Sequence, residues 1–172
     1  MNLLLRLALV FLGSLFKKRI RGVDESVLRM RVLPTDLDVN LHLNNGRYAS
    51  IMDLGRLDLV LRSGLARACL RQKWVPLVGS SFIRFRRSLH LFQSYELLTR
   101  PLYWDQKWFY LEQRFVRKGK VVAIGYSRTL FWSKSGPVPP AEALKQVGIS
   151  EASPEASALI QDWAKFESDL GV

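Results

Sequence analysis

The sequence predicts an α+β fold in which one long central helix is wrapped by a curved antiparallel sheet of five or six strands. From Tyr48 to about Gly64, apolar residues recur at helical spacing, which indicates one long helix. The second half of the chain contains strand-like runs joined by short turns, and such strands pair as antiparallel neighbours. Because the helix is apolar over so much of its surface, we expect the sheet to curve around it.

The length and composition suit one globular domain with a proper core. The chain has 172 residues, of which 48% are apolar and 11% aromatic. We expect this domain over residues 23–172, behind a separate segment over residues 1–22. Cys69 is the only cysteine, which excludes an internal disulfide and favours a reducing compartment. We interpret it as a small apolar residue rather than a nucleophile, and we expect no metal or other cofactor.

Residues 2–16 form an apolar run that Arg6 interrupts. Basic residues follow it directly, at Lys17, Lys18, Arg19 and Arg21. The run is shorter than the roughly 20 residues that span a membrane, and most of its charge lies on the wrong side for a secretory signal. We predict that residues 2–21 lie on the inner face of a membrane with Arg6 turned to the headgroups, so that the domain is cytoplasmic. The alternatives are a helix packed on its own domain and a single-pass anchor extended to Ile20.

Alternation of apolar and polar residues predicts the strands. They are expected at residues 26–33, 75–87, 94–103, 108–117 and 121–132. The clearest turns between them are residues 104–106 and 118–120, and a loop or short helix covers residues 66–73. A short helix is expected over residues 141–146.

A closing helix is predicted to begin at Ser153-Pro154-Glu155, which reads as an N-cap, a first-turn proline and an acidic residue. Its expected apolar face consists of Leu159, Ile160, Trp163 and Phe166.

The net charge of +11 favours anionic partners, such as an anionic membrane or a phosphate-bearing small molecule. The basic residues are scattered along the chain, and neither an RNA-binding signature nor a helix-turn-helix pattern occurs. We therefore expect no nucleic-acid partner.

Residues 35–48 read TDLDVNLHLNNGRY and hold the densest set of polar side chains. Asn and Asp compete for backbone hydrogen bonds, so neither a strand nor a helix interior suits this stretch. It is predicted to be a loop that leads into the long helix, with Asn44 or Asn45 as the N-cap.

Asp38, Asn40 and His42 stand at alternate positions, so in an extended loop their side chains would point to one side. A carboxylate can be a nucleophile or general base, an imidazole can move protons, and an amide can orient water or a carbonyl. Free N–H groups at a helix start suit a developing oxyanion. The loop predicts acyl-transfer chemistry; the alternative is a tight turn and helix cap in which His42 is structural. We interpret His90, the only other histidine, as structural.

This motif, from Asp36 to Asn45 with Tyr48, resembles the signature of hotdog-fold thioesterases, especially the acyl-acyl-carrier-protein and 4-hydroxybenzoyl-CoA thioesterase groups. Over residues 28–132 the chain also resembles the thioesterase-superfamily member-six-like branch, through its helix length, its arginine-rich strand at residues 84–87 and the residues around Trp104. The resemblance implies a hotdog fold and a homodimer or dimer of dimers with active sites at the interface. It also implies hydrolysis of an acyl thioester of coenzyme A or acyl-carrier protein, releasing a fatty or aromatic acid.

By position, Asp38 corresponds to the family's nucleophile or general base, and Asn40 and His42 to the Asn and His that orient and activate the attacking group. Substrate contacts are expected at Asn44, Asn45, Tyr48, Arg84 and Arg86, the two arginines meeting carrier phosphates. Where the carrier-protein thioesterases have a later Glu and Cys, this chain has Ser88 and Leu89.

Two other functions are compatible with the same resemblance. One is a hydratase or dehydratase of acyl thioesters, against which the absence of an Asp-x-Asn-Pro-x-His pattern counts. The other is a noncatalytic, membrane-attached protein that binds acyl groups or lipid.

Overall fold

The computed structural model describes residues 2–21 and 24–170. Its first half contains helix α1 (Asn2–Leu15), strand β1 (Ser26–Arg31), a 3₁₀ turn (Pro34–Asp36), the long helix α2 (Asn45–Ser63) and helix α3 (Leu65–Gln72). The other strands are β2 (Val75–Phe85), β3 (Ser94–Trp104), β4 (Phe109–Arg117), β5 (Lys120–Ser133) and β6 (Gly136–Val138). The last helices are α4 (Pro140–Lys145) and α5 (Ala158–Asp169). The predicted boundary between residues 22 and 23 lies outside the described residues.

The strands form one curled antiparallel sheet in the order β1-β3-β4-β5-β2, with β6 paired to β5. This confirms the predicted α+β class and the six-strand upper limit. Short turns join β3, β4 and β5, so these three strands are neighbours in both sequence and space. The sheet curls around α2, whose Ile51, Met52 and Leu54 are each 1% exposed.

Helix α2 begins where the sequence predicts. The side chain of Asn44 caps it by accepting a hydrogen bond of 2.8 Å from the N–H of Gly46. Gly64, with φ of 87°, ends it in the left-handed conformation that glycine adopts without a steric penalty. In its middle, a Cβ at Gly55 would collide with Thr99 and Gln113, so this glycine allows the helix to lie directly on the sheet.

Helix α1 packs on the domain with one face and exposes the other. Val10 is 7% exposed and belongs to the main core, and Lys17 forms an ion pair of 3.3 Å with the buried Asp58. Arg6 is buried against Asp36, so the expectation that it turns to lipid headgroups is wrong: the buried carboxylate of Asp36 needs a compensating charge, which Arg6 supplies. The packed-helix alternative thus accounts for the inner face of α1.

The outer face of α1 remains strongly apolar. Its exposed side chains include Leu4, Leu5, Leu9, Leu12, Leu15 and, just beyond the helix, Phe16. Within residues 2–21 and 24–170, no helix has both the length and the hydropathy that crossing a bilayer requires.

The start of the last helix differs from the prediction. Ser153 does not cap α5, because its hydroxyl accepts the N–H of Trp104 at 2.8 Å and holds the tail against β3. The helix begins at Ala158 and buries Ile160 and Trp163, while Leu159 and Phe166 stay exposed.

Candidate active site at the start of the long helix

The loop before α2 is a tight turn rather than the extended segment expected from the sequence. The N–H of Asp38 donates to the carbonyl of His42 at 2.9 Å, and Leu41 has φ of 58°. The carboxylate of Asp38 causes this turn, because its Oδ1 accepts the N–H groups of Asn40 at 2.9 Å and His42 at 3.3 Å. Asp38, Asn40 and His42 are therefore brought together by a turn and not by strand-like alternation.

The two oxygens of Asp38 have different surroundings. Oδ1 is bound by the turn, whereas Oδ2 receives no hydrogen bond from any residue that the structure describes. The residue is half-buried, so its orientation is fixed while one oxygen remains free. Such an oxygen is suited to attack an electrophilic carbon or to take a proton from water.

Two histidines meet beside this turn. His42 and His90 form an antiparallel backbone bridge, and their rings pack edge to face with centroids 4.8 Å apart. The interpretation of His90 as structural stays a prediction, although the residue lies beside the polar loop. Sequence reasoning missed the pair because the two residues are far apart in the chain and only the pairing of residues 42–43 with 89–90 joins them. Leu89, one of the two residues compared above with the Glu and Cys of the carrier-protein thioesterases, is fully buried, and its carbonyl accepts the N–H of Leu43 at 2.7 Å.

The first turn of α2 borders the site. Asn44 uses its side chain to cap the helix, whereas Asn45 is exposed. Within the described chain the N–H of Asn45 has no hydrogen bond, so it is available to an incoming oxygen. The positive end of the helix dipole lies at the same place and favours negative charge there.

Tyr48 is a core residue in this structure. It is 2% exposed, and its ring packs edge to face on Phe85 and Phe115 at 5.0 and 4.8 Å. Burial raises the pKa of Tyr48 to about 12. Its clearest role is to fasten the end of β2 to the first turn of α2; the substrate contact predicted for it stays a prediction.

Arg84 and Arg86 flank Phe85 at the end of β2, and both are exposed, as their alternation with apolar residues predicts. Phe85 points toward Tyr48, so Arg84 on the same strand points to the opposite face of the sheet. Both arginines thus lie near the start of α2 in the fold, with Arg84 on the outer face of β2 and Arg86 just beyond the end of this strand.

An apolar channel runs between α2 and the sheet, which the sequence did not indicate. It consists of two adjoining cavities of about 190 and 60 Å³. Residues that line both are Val60, Leu111, Thr129 and Phe131. The larger cavity reaches Asp53, roughly 12 Å along the helix from Asn45 at 1.5 Å per residue.

Neither the single cysteine nor a metal cluster offers an alternative reactive centre among the residues that the structure describes. Burial raises the pKa of the Cys69 thiol to about 11, so the thiolate that a nucleophile needs is scarce at neutral pH. Among the described residues, no three His, Cys, Asp or Glu side chains are grouped closely enough to hold a metal ion.

Comparison with known proteins identifies relatives of this chain. Protein THEM6 of Danio rerio is 46% identical over 110 residues, which are 63% of this chain and 54% of that protein. The probable thioesterase YBR096W of Saccharomyces cerevisiae is 29% identical over 120 residues, 67% of this chain and 52% of that protein. The chain thus spans about half the length of these relatives.

Solved structures show the same fold. The DHNA-CoA thioesterase of Staphylococcus aureus superposes with a TM-score of 0.62 at 15% identity, over 72% of this chain and 91% of that one. The family model of the thioesterase-like superfamily matches residues 32–148, which is more than half of the chain and includes the Asp38 turn, α2 and strands β2 to β6. The protein therefore belongs to the thioesterase-like superfamily and has the hotdog fold.

Proposed function

We propose that the protein hydrolyses an acyl thioester of coenzyme A or of an acyl-carrier protein and releases a fatty or aromatic acid. The observation that carries this proposal is the free Oδ2 of Asp38, held by its own turn beside the start of α2. The family and the names of the yeast and S. aureus proteins support thioester hydrolysis as the reaction.

The chemistry has two routes that this geometry allows. In one, Oδ2 of Asp38 takes a proton from water, whose oxygen bonds to the carbonyl carbon; in the other, Oδ2 bonds to that carbon and water later cleaves the anhydride. In both routes the carbon–sulfur bond breaks and the leaving thiolate takes up a proton. The N–H of Asn45 and the helix dipole stabilise the oxyanion, while Asn40 and His42 orient and activate the attacking group.

The acyl group and the phosphate-bearing carrier of the substrate would bind to different parts of the protein. The channel under α2 is lined mostly by apolar side chains and suits an acyl group. The exposed Arg84 and Arg86 and the net charge of +11 suit the phosphates of coenzyme A or phosphopantetheine, and the S. aureus relative is named for a CoA substrate.

The test measures thiol release from a series of acyl-CoA and acyl-carrier-protein substrates with a colourimetric thiol reagent. We expect turnover by the wild type and a loss of about 10³-fold or more in Asp38→Asn, which keeps the size of the side chain but removes its charge. Asp162→Asn, at an exposed carboxylate on α5, is the matched control and should keep full activity.

Other outcomes select the alternatives. Tight acyl-CoA binding without thiol release indicates the noncatalytic binding protein. Addition of water to an enoyl thioester, with the thioester intact, indicates a hydratase.

We propose further that β2 pairs with β2 of a second copy to form a homodimer, alone or within a dimer of dimers. β2 is an edge strand with exposed apolar residues. These are Val75, Leu77, Val78, Phe82 and Phe85. An exposed edge of this kind favours pairing with another chain. Val75→Lys with Leu77→Lys should give monomers by light scattering, whereas Leu70→Lys, at an 83% exposed position on α3, should stay dimeric.

The outer face of α1 is proposed to lie on the inner, cytoplasmic face of an anionic membrane. Each buried Leu contributes about 1.5–3 kcal/mol, and each basic residue after the helix about 1 kcal/mol. The full chain should sediment with phosphatidylserine-containing vesicles, and Leu12→Ser with Phe16→Ser should weaken this strongly. Leu159→Ser with Phe166→Ser removes exposed apolar side chains from α5 instead and should have no effect. Equal binding by both double variants would contradict the proposal.

A further inference from the structure

An arginine from α1 reaches the loop that carries the candidate catalytic residues. The Nη2 atom of Arg6 donates to Oδ2 of Asp36 at 2.6 Å and to the carbonyl of Arg31 at 3.0 Å. Arg6 is 9% exposed and Asp36 is fully buried. The contact therefore joins the N-terminal helix, the end of β1 and the start of the loop in one water-excluded place.

Asp36 holds both ends of that loop. At the entry, its Oδ2 accepts the N–H of Leu33 at 2.9 Å. At the exit, its backbone carbonyl accepts the N–H of Asn44 at 2.8 Å, and its Oδ1 pairs with Arg47 at 3.4 Å. The turn that contains Asp38 and His42 lies between these two attachment points. A shift of Asp36 would move both ends and with them the free Oδ2 of Asp38.

The electrostatics make Arg6 necessary for this arrangement. A buried carboxylate needs compensation by charge and by hydrogen bonds. Arg6 is closer than Arg47, at 2.6 against 3.4 Å, and more buried, with 10% against 30% of the side chain exposed. Without Arg6, the buried carboxylate would keep the longer and more exposed pair with Arg47, and we expect Asp36 and the loop to shift toward water.

We propose that Arg6 is a positioning residue for the reaction: by holding Asp36 from α1, it sets the position of the Asp38 turn against the start of α2. The N-terminal helix is then part of the active-site support, in addition to any contact with a membrane. The expected effect on kcat rests on the proposed thioester hydrolysis. The effect of Arg6 on the position of the Asp38 turn does not.

The chain offers a matched control in Arg62. Arg62 also pairs with a fully buried carboxylate, Asp58, at 3.1 Å with 13% of its side chain exposed, and it also binds the N-terminal segment through the carbonyl of Lys18. It lies in the last turn of α2, at the opposite end from the Asp38 turn. Arg6→Gln and Arg62→Gln therefore remove comparable ion pairs that differ in location.

The experiment compares both full-length variants at a temperature where each is folded. We expect Arg6→Gln to lower kcat about 10-fold to 100-fold with KM nearly unchanged, because a misplacement of about 1 Å can cost that much. Arg62→Gln should lower the melting temperature similarly and keep the wild-type kcat. Arg6→Lys keeps the charge but replaces the planar guanidinium with a compact ammonium, and its kcat should lie between those of the wild type and Arg6→Gln.

Amide hydrogen exchange gives a readout that needs no activity. In Arg6→Gln, the N–H groups of Asp38, His42 and Asn44 should exchange faster, since their acceptors lie in the loop; in Arg62→Gln they should not. If the wild type hydrolyses no thioester, the proposed function fails while this exchange result still decides the role of Arg6. Wild-type kcat and exchange in folded Arg6→Gln, or equal losses in both variants, would overturn the inference. If Arg6→Gln does not fold, the same two readouts on Arg6→Lys decide.

Discussion

Asp36 and Asp38 are two residues apart in one loop, yet they lie on its opposite sides. Asp36 is fully buried between two arginines and forms hydrogen bonds at both ends of the loop. Asp38 is half-buried, bonds only to backbone N–H groups of its own turn, and keeps one oxygen free within the described chain. The first carboxylate is enclosed by charged and polar partners, whereas the second keeps the free oxygen on which the proposed hydrolysis depends.

The difference arises from the turns around them. In an extended chain, alternate residues point to the same side. Here the 3₁₀ turn at Pro34–Asp36 directs Asp36 inward, and the Asp38 turn directs the next carboxylate outward. Identical side chains thus acquire separate roles from the local backbone and from the partners that it reaches.

The largest expected effect is the loss of folding stability when Asp36, the buried carboxylate, is replaced. Asp36→Asn leaves Arg6 and Arg47 facing an uncharged amide, and breaking a buried ion pair in this way costs about 3–5 kcal/mol. Asp38→Asn should change the free energy of unfolding by less than about 1 kcal/mol, because an amide oxygen can still accept the two N–H groups. Urea unfolding of both variants measures the difference. Equal losses would mean that the two carboxylates do not have separate roles.

His42 and His90, which lie beside the Asp38 turn, are expected to contribute unequally to kcat. His42→Ala should lower kcat for acyl-CoA by about 100-fold, the lower range for general acid–base assistance. His90→Ala removes only the ring packed at 4.8 Å and should cost a few-fold. Steady-state kinetics of the two variants test this. A larger loss in His90→Ala would make His90 the proton-transferring residue.

Alkaline pH should remove the stability that the buried Tyr48 contributes. Burial raises the pKa of Tyr48 from 10.0 to about 12, so the unfolded chain loses this proton first. The stability that Tyr48 contributes is complete below pH 10 and is lost as the pH rises to about 12. Tyr48→Phe should therefore make the melting temperature less dependent on pH in this window, whereas Asp38→Asn should not. Burial also raises the pKa values of Cys69, Tyr95, Tyr110 and Tyr126, so part of the dependence should remain in Tyr48→Phe.

The smallest effect is expected at the exposed arginines. Arg84→Ala with Arg86→Ala should raise KM for acyl-CoA about twofold to fivefold at low salt, because exposed charge pairs contribute little and salt screens them. Lys118→Ala with Lys120→Ala, at the exposed turn between β4 and β5, is the control. An unchanged KM would show that Arg84 and Arg86 form only a solvated strand face.

Local patterns predicted much of this molecule. Alternation and short turns placed the five longer strands within a few residues of their bounds, and Asn44 marked the start of α2 because a cap acts on its own neighbours. Three missed features depend on partners distant in sequence: Asp36 for Arg6, His42 for His90, and Trp104 for Ser153. No spacing in the sequence indicates such pairs, since the sheet brings them together only after it has formed. The Asp38 turn was missed although its hydrogen bonds are local, because the alternation of residues 38, 40 and 42 also suits an extended loop.

The strand order also has a consequence for how the chain folds. β3, β4 and β5 are consecutive and close through short turns, whereas β1 must find β3 and β2 must find β5 across long intervening segments. Closing a long loop costs entropy before new contacts compensate for it, so the three-stranded meander is expected to form first and both edges to dock last. During synthesis α2 leaves the ribosome before β2–β5 exist. The apolar side chains of Ile51, Met52 and Leu54 are therefore exposed to solvent until the sheet forms, and during that time aggregation competes with folding.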